Sequence, residues 1–152
     1  MKINFDGATF NDRNLAGLVG VSRDDRGLVM AVFTQTIPLP TSIEMVEVLT
    51  ARNALVLAQD LNLTQVQLEG DSEIIINALS SGGRDSSSYG HILKDIKFLS
   101  LAFQCLSFSH THRQGNKLAH CLVRSACNFS PFQVWMEEIP LVCESVYFFD
   151  IL

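Results

Sequence analysis

The amino-acid sequence predicts a mixed α/β fold in which one sheet is flanked by helices. Three strand-like stretches, at residues 2–9, 15–23 and 28–36, are joined by the polar turns NDRN and DDRG, which predicts an antiparallel meander. Two further strand-like stretches, at 66–70 and 106–112, alternate with helical ones. The predicted order of elements is therefore βββαβααβα, without an internal repeat.

The predicted helices follow recognisable start signals. Two prolines close the opening strand region, and Thr41 or Ser42 can cap the first helix. Asp71 with Ser72 can cap the second helix. The helices are predicted from the first cap to about residue 61, at 73–80, at 89–104 and from Asn116 to about 128, with the Gly/Ser-rich break SSGGRDSSS at 80–88.

The composition is that of an ordinary folded domain. With 152 residues, 47% of them apolar and 18% charged, the chain is long enough and apolar enough to bury one core. We expect a domain over residues 1–130 and a C-terminal tail over 131–152 that packs on it. Because the tail ends in an apolar cluster, a partner-binding segment is the alternative interpretation.

The sequence shows no membrane or export signal. No apolar run approaches the roughly 18 residues of a membrane span, and the N-terminus lacks a charged leader followed by an apolar core. We therefore expect an intracellular monomer of the nucleus or cytoplasm, without signal peptide, transmembrane segment or membrane partner. The cysteines show no CxxC spacing, and we interpret them as buried free thiols, typical of a reducing compartment. They are Cys105, Cys121, Cys127 and Cys143.

Charge is distributed unevenly along the chain. The formal net charge of −5 argues against a nucleic-acid binder that works by bulk electrostatics. Residues 84–124, however, carry six basic and two acidic side chains, a net +4. This segment is either a docking surface for a polyanion or an ordinary solvated face, and charge alone leaves both open.

Three acidic residues stand where a surface acid is not expected. Asp6 lies inside a strand and precedes Gly7, which allows close approach to the backbone. Glu47 heads a strip of alanines in the first, buried helix, and Asp71 follows a strand. Each alone has a simpler interpretation: an Asp-Gly turn, an exposed helix start, or a helix cap. If the three converge, their oxygens form a site for a hard cation such as magnesium.

These acids lie in sequence pieces that resemble the type 1 ribonuclease H domain, and especially its plant retroelement, or reverse transcriptase-like, branch. The pieces occur in the family's order and cover about residues 2–128. They are NFDGA (4–8), AGLVGVSRDDRGLV (16–29), VEVLTARNALVLAQDL (46–61), EGDS (69–72) and FSHTHRQGNKLAHCLVRSA (108–126).

The resemblance implies a ribonuclease H-like fold with a five-stranded mixed sheet, and a site of four acidic residues that holds two Mg²⁺ ions, with Mn²⁺ as a substitute. Asp6, Glu47 and Asp71 fall on the family's first three acidic positions, which are catalytic metal ligands. In that scheme Asp6 bridges both ions, whereas Glu47 and Asp71 hold the ion that orients the attacking water. The implied activity is endonucleolytic hydrolysis of the RNA strand of RNA/DNA hybrids.

The family's fourth acidic residue follows an asparagine by four positions. Here the asparagine is Asn116, so His120 occupies the fourth catalytic position. Imidazole is a poor ligand for magnesium and carries no negative charge, so we expect the second ion to be held weakly. Active relatives keep a mobile histidine six positions before the same asparagine, which makes His110 a candidate proton shuttle.

The resemblance also implies contacts with nucleic acid. Ser72, Arg113, Asn116 and Lys117 are the candidate substrate-binding residues. Two other functions stay open at this point. One is a catalytically inactive, retroelement-derived module that binds nucleic acid or a protein. The other is a single-strand 3′ exonuclease, against which the spacing from Asn116 to His120 speaks.

Overall fold

The computed structural model describes residues 1–81 and 88–151, which form a six-stranded mixed sheet flanked by helices. The strands are β1 (Lys2–Phe10), β2 (Leu15–Arg23), β3 (Val29–Pro38), β4 (Gln65–Gly70), β5 (Cys105–His110) and β6 (Phe132–Met136). They lie in the order β5-β4-β1-β2-β3-β6. The first three form the predicted antiparallel meander, β4 and β5 continue the sheet parallel to β1, and β6 is antiparallel to β3.

The helices of the described residues are α1 (Ile43–Asp60), α2 (Glu73–Ser80), α3 (Gly90–Ser100), α4 (Lys117–Arg124) and α5 (Glu144–Ile151). Within this part of the chain, the helices lack the length and apolar character that a membrane span requires.

Helix α1 begins at a side-chain cap and lies close against the sheet. The hydroxyl of Ser42 accepts a hydrogen bond from the Met45 backbone N–H at 3.2 Å, which satisfies a free donor of the first turn. The predicted strip of Ala51, Ala54 and Ala58 is fully buried. Because these side chains are small, α1 packs directly on β1 and β2 and brings its first turns to the middle of the sheet.

The sheet has an apolar core on each face. Side chains alternate along β2, so Leu18 packs in the core of α1, whereas Val19 packs in the core of α4. Helices α1, α2 and α3 contribute to the first core, and α4 contributes Leu118 and Leu122 to the second. The two cores hold α1 and α4 on opposite faces of the strand that carries Asp6.

The sheet has six strands rather than the five that the resemblance implied. The additional strand, β6, pairs with β3 and places Val134 opposite Phe33. Its side chains alternate as a strand's do, with Phe132, Val134 and Met136 on the exposed side. The sequence did not reveal this strand because its partner lies far earlier in the chain, so no hairpin turn marks the pairing.

Several element boundaries differ from the predicted ones. Helix α3 ends at Ser100 rather than at 104, and tight turn hydrogen bonds from residues 101–103 follow it. Strand β5 ends at His110 rather than at 112, and α4 ends at Arg124 before a short 3-10 turn. Of the break predicted at 80–88, residues 82–87 lie outside the described residues.

The residues after 130 contact the rest of the chain. The Tyr147 hydroxyl accepts a hydrogen bond from the Val29 backbone N–H at 3.0 Å, and Asp150 pairs with Arg23 at 3.4 Å. Together with β6, these contacts place α5 beside α4. The division of the chain at residue 130 stays a prediction.

The interpretation of the four cysteines as buried free thiols was wrong. Cys121 of α4 is bonded to Cys143, which directly precedes α5, whereas Cys105 is exposed and Cys127 is half-buried. Spacing could not reveal the pair, because 22 positions separate the two residues and only the return of the tail to α4 brings them together. The argument for a reducing compartment therefore no longer applies.

Candidate metal centre

Asp6 lies in the middle of β1, opposite Val19 of β2, and its side chain is buried. The backbone N–H of Gly7 donates a hydrogen bond to Asp6 Oδ1 at 3.0 Å. Because β1 is hydrogen-bonded to a strand on each side, the position of this carboxylate is fixed by the sheet.

Glu47 reaches the same place from α1 by passing over Gly7. A Cβ at Gly7 would lie 2.7 Å from Val46 Cγ1 and 3.4 Å from Glu47 Oε1, so the helix needs glycine at this point of the strand. The Glu47 side chain is buried, and its Oε2 has no hydrogen-bond partner among the described residues. A buried carboxylate oxygen without a donor is costly, which makes this atom a candidate ligand for a cation.

Asp71 completes the cluster at the end of β4. Ser72, not Asp71, is the N-cap of α2, and its hydroxyl accepts from the Ile75 backbone N–H at 3.5 Å. The Asp71 carboxylate is therefore free to face the other two acids. One carboxylate oxygen each from Asp6, Glu47 and Asp71 lies within 4.8 Å of the others, so the three acids do converge.

Burial and mutual repulsion raise the pKa of two of these acids. Burial, and then the charge of Asp71, raise the pKa of Asp6 from 3.8 to about 6, although hydrogen bonding and the charge of His120 and the Gly7 N–H act in the opposite direction. Burial, and then the charges of Asp6 and Asp71, raise the pKa of Glu47 well above its usual value. Both acids are therefore harder to ionise than an exposed carboxyl group, and a bound cation would favour their charged forms.

Two side chains with basic groups contact the carboxylates. His120 of α4 places its Nδ1 3.2 Å from Asp6 Oδ2, and the imidazole is one-third exposed. Arg113 places its Nε 3.9 Å from Asp71 Oδ2 at the outer limit of an ion pair, and its side chain is 72% exposed. The sequence analysis predicted that Arg113 binds substrate, and it did not predict a contact between Arg113 and Asp71.

The position of Arg113 was deducible from the strand order. Asp71 directly follows β4, and Arg113 lies shortly after β5, which is the parallel neighbour of β4 with Gly70 opposite His110. Carboxyl ends of parallel neighbours meet at one edge of a sheet. The missing information was the pairing of the two strands, not the chemistry of the residues.

Asn116 connects α4 to the strand of the site. Its side chain is 2% exposed, and its Nδ2 donates a hydrogen bond to the Phe5 carbonyl at 3.0 Å. Since Phe5 directly precedes Asp6, this bond and the contact of His120 with Asp6 fix the helix relative to the carboxylates. The structure thus gives Asn116 a positioning contact, and its binding of substrate stays a prediction.

The other predicted site residues lie around the cluster. Ser72 caps α2, and Lys117 is exposed in the first turn of α4 with its Nζ 5.9 Å from the centre of the Phe149 ring. His110 is exposed at the end of β5, edge-on to His112. Over residues 1–81 and 88–151, no hydrogen bond or ion pair joins His110 to the three carboxylates, and its role as a proton shuttle stays a prediction.

The donor set fits a hard divalent cation. Three carboxylates supply oxygen ligands and negative charge, and Glu47 Oε2 is buried without a donor. The fourth implied position carries an imidazole, which suits magnesium poorly and manganese better. The described residues therefore bring together three carboxylates, with an imidazole beside Asp6 where the resemblance implied a fourth acid.

The strand order, the helices on both faces and the three carboxylates at the middle of the sheet define a ribonuclease H-like α/β protein. A family model described as reverse transcriptase-like matches residues 4–126. The chain belongs to this reverse transcriptase-like family, and the resemblance inferred from the sequence is confirmed.

Solved structures confirm the fold. Ribonuclease H1 from the halophilic archaeon Halobacterium salinarum superposes with a TM-score of 0.74 and 24% identity, over 84% of this chain and 96% of that one. The ribonuclease H1 called LC11, isolated from compost and solved in complex with an RNA/DNA hybrid, gives a TM-score of 0.73 and 22% identity, over 84% and 96%. At these identities the likeness shows the fold.

A longer plant protein also matches the chain. A protein of Arabidopsis thaliana that is named as a ribonuclease H protein is 28% identical to this chain over 130 residues. The match covers 86% of this chain and 21% of that relative, so the chain spans about a fifth of the length of the protein it matches.

Proposed function

We propose that this chain is a metal-dependent endonuclease that binds RNA/DNA hybrids and hydrolyses their RNA strand. The observation that carries the proposal is the convergence of three carboxylate oxygens within 4.8 Å, on a ribonuclease H-like sheet. The complex of the LC11 enzyme with an RNA/DNA hybrid supports the choice of substrate, since that protein has the same fold.

Asp6, Glu47 and Asp71 would hold the cation, with Mg²⁺ as the expected ion and Mn²⁺ as a substitute. A divalent cation at this point would polarise the scissile phosphate and lower the pKa of a water molecule. The chain's own contribution is to hold the three carboxylates in place. Asp6 is fixed by the sheet, Glu47 by the packing of α1 on Gly7, and Asp71 by the turn that Ser72 caps.

Basic residues at the rim of the site are suited to the nucleic-acid backbone. Lys117 is exposed, and Arg113 is 72% exposed while it contacts Asp71. Once a cation neutralises Asp71, the guanidinium is free to bind a phosphate, for which its bidentate donors are well shaped. We infer that Arg113 changes partner between the metal-free and the substrate-bound site.

The proposal is tested by incubating labelled RNA/DNA hybrids with the protein in Mg²⁺ and separately in Mn²⁺. The expected result is cleavage inside the RNA strand that leaves 5′ phosphate ends, with no cleavage of the DNA strand. Glu47→Gln should lower the rate by at least about 100-fold, because one ligand charge is lost. Glu44→Gln, one turn earlier in α1, is the matched control and should cleave as the wild type does.

A catalytically inactive nucleic-acid-binding module is the second candidate function. The contact of His120 with Asp6 favours it, because an imidazole at this position partly compensates the carboxylates without a cation. In this case the protein would bind the hybrid with a measurable Kd while the RNA stays intact in both metals. Such a result would contradict the endonuclease and support the binding module.

A further inference from the structure

Helix α5 presents two aromatic rings to solvent near the candidate metal centre. Phe149 is 76% exposed and Phe148 is 52% exposed. Both residues lie beyond the segment 4–126 that the family model matches, and the roles proposed above do not use them. An exposed aromatic side chain beside a charged group is a candidate for a binding surface.

Two residues of α4, Lys117 and His120, lie between Phe149 and the carboxylates. Lys117 Nζ lies 5.9 Å from the centre of the Phe149 ring. Lys117 and His120 are three positions apart on α4 and therefore lie on neighbouring parts of its surface, and His120 contacts Asp6. From the helix rise and the reach of the lysine, the ring lies on the order of 10–15 Å from His120, or about three to four nucleotide steps along a strand.

The exposure of Phe149 does not come from a loosely attached helix. Tyr147, two positions earlier, accepts a hydrogen bond from the backbone of Val29, and Asp150, one position later, pairs with Arg23. The bond from Cys121 to Cys143 ties the start of α5 to α4. The neighbours of Phe149 thus anchor the helix, while its own ring faces solvent on a fixed support.

We propose that Phe149 and Lys117 form a stacking platform for an unpaired nucleobase. This inference rests on the proposed function, because it assigns the platform to a single-stranded extension of the hybrid. An aromatic ring stacks on the free face of a base, and inside a duplex neighbouring bases cover both faces. Lys117 places a positive charge beside the ring, where it can contact the adjacent phosphate.

The test measures binding by fluorescence anisotropy with four labelled probes. The first is a blunt hybrid whose RNA strand carries 2′-O-methyl groups to prevent turnover. Two more are the same hybrid with a single-stranded DNA extension at one end or at the other, and the fourth is the DNA strand alone. The wild type should bind one of the extended hybrids about 5- to 10-fold more tightly than the blunt one. Phe149→Ala should abolish that difference, and Phe149→Trp should keep it.

Two further variants separate the platform from general effects. Phe98→Ala is the matched control, since Phe98 of α3 is equally exposed, at 76%, and lies in a different helix. It should leave all affinities unchanged. Lys117→Ala should weaken the binding of both hybrids and reduce the slope of log K against log salt concentration by about 1. Thermal unfolding of each variant should match that of the wild type, because the substituted side chains are exposed.

The outcomes distinguish the platform from the nuclease proposal. Equal affinity of Phe149→Ala and wild type for the extended hybrids overturns the platform alone. Tighter binding by Phe149→Ala also overturns it, because the ring would then be masking Lys117. A third outcome is that the wild type binds the DNA strand alone, Phe149→Ala does not, and neither binds the blunt hybrid. This outcome supports the platform and contradicts the proposed hybrid substrate. Absence of binding to all probes overturns both.

Discussion

The imidazole of His120 lies 3.2 Å from the carboxylate of Asp6, so a basic side chain contacts the acid that the resemblance places between two ions. This contact has two consequences. It lowers the pKa of Asp6 against the effect of burial, and it puts an imidazole where the resemblance implies a fourth carboxylate. The contact between His120 and Asp6 therefore affects both the stability of the metal-free protein and the binding of a cation.

The raised pKa of Asp6 predicts that the metal-free protein loses stability as the pH rises. Between about pH 4 and pH 6 the folded protein keeps a proton on Asp6 that the unfolded chain has released. The contribution of Asp6 to the free energy of unfolding should therefore fall over this window, by on the order of 3 kcal/mol. The raised pKa of Glu47 extends the loss of stability to higher pH. Urea unfolding in the presence of a chelator measures this directly.

Asp6→Asn should remove this part of the pH dependence, while Asp12→Asn, in an exposed turn, should preserve it. Identical pH profiles for wild type and Asp6→Asn would contradict the electrostatic account. The affinity for Mg²⁺ should change with pH in the opposite direction to the stability of the metal-free protein. Because protons and the cation compete for Asp6, this affinity should fall as the pH drops below about 6.

Gly7→Ala should displace α1 and with it the Glu47 carboxylate. The new Cβ would lie 2.7 Å from Val46 Cγ1, so the helix must shift, at a cost of about 1–3 kcal/mol in the free energy of unfolding. Removing the contacted methyl groups with Val46→Ala in the same chain should recover part of this loss. A double-mutant cycle measured by urea unfolding gives the interaction. Strict additivity of the two substitutions would show that the predicted clash does not occur.

Asn116→Ala should destabilise the protein and loosen the position of α4. The substitution leaves the buried Phe5 carbonyl without its donor, which costs about 1–3 kcal/mol. For a chain of this size we expect the Tm to fall by roughly 2–4 °C for each kcal/mol. Differential scanning calorimetry measures the shift, and Asn128→Ala, at an exposed position, is the control. A Tm equal to that of the wild type would refute the role of the Asn116 side chain.

The bond between Cys121 and Cys143 should contribute measurably to stability. For a closed loop with a sequence separation of 22, the chain-entropy model gives about 3 kcal/mol, which reductant or Cys121→Ser should remove. Cys127→Ser should leave the Tm unchanged. Thiol titration of the unfolded, unreduced protein should find two thiols, corresponding to Cys105 and Cys127. Four thiols would show that the bond does not form in solution.

The sequence contained enough information for the sheet centre and for the three acids, because both depend on local patterns. Alternation and polar turns define β1, β2 and β3, and the ordered pieces around Asp6, Glu47 and Asp71 match a known family. The resemblance implies that the fourth acidic position follows Asn116 by four residues, which is His120. The structure then added the distance of that residue from Asp6.

The features that the sequence did not reveal depend on contacts between distant parts of the chain. Strand β6 pairs with β3, Cys121 bonds to Cys143, and Arg113 meets Asp71 only because β4 and β5 are neighbours. No local pattern encodes such pairings, since each is set by the return of the chain to an element formed much earlier. The ring of Phe149 beside Lys117 is a further case.

The most direct test of the central claim is the rate of RNA/DNA hybrid cleavage as a function of Mg²⁺ concentration, compared for wild type, His120→Asp and Asp71→Asn. A fourth carboxylate should strengthen the second cation position. His120→Asp should therefore raise the cleavage rate and lower the Mg²⁺ concentration that gives half of the maximal rate. Asp71→Asn should abolish cleavage. If all three proteins are equally inert, in Mn²⁺ as well as in Mg²⁺, the three carboxylates do not form a nuclease site.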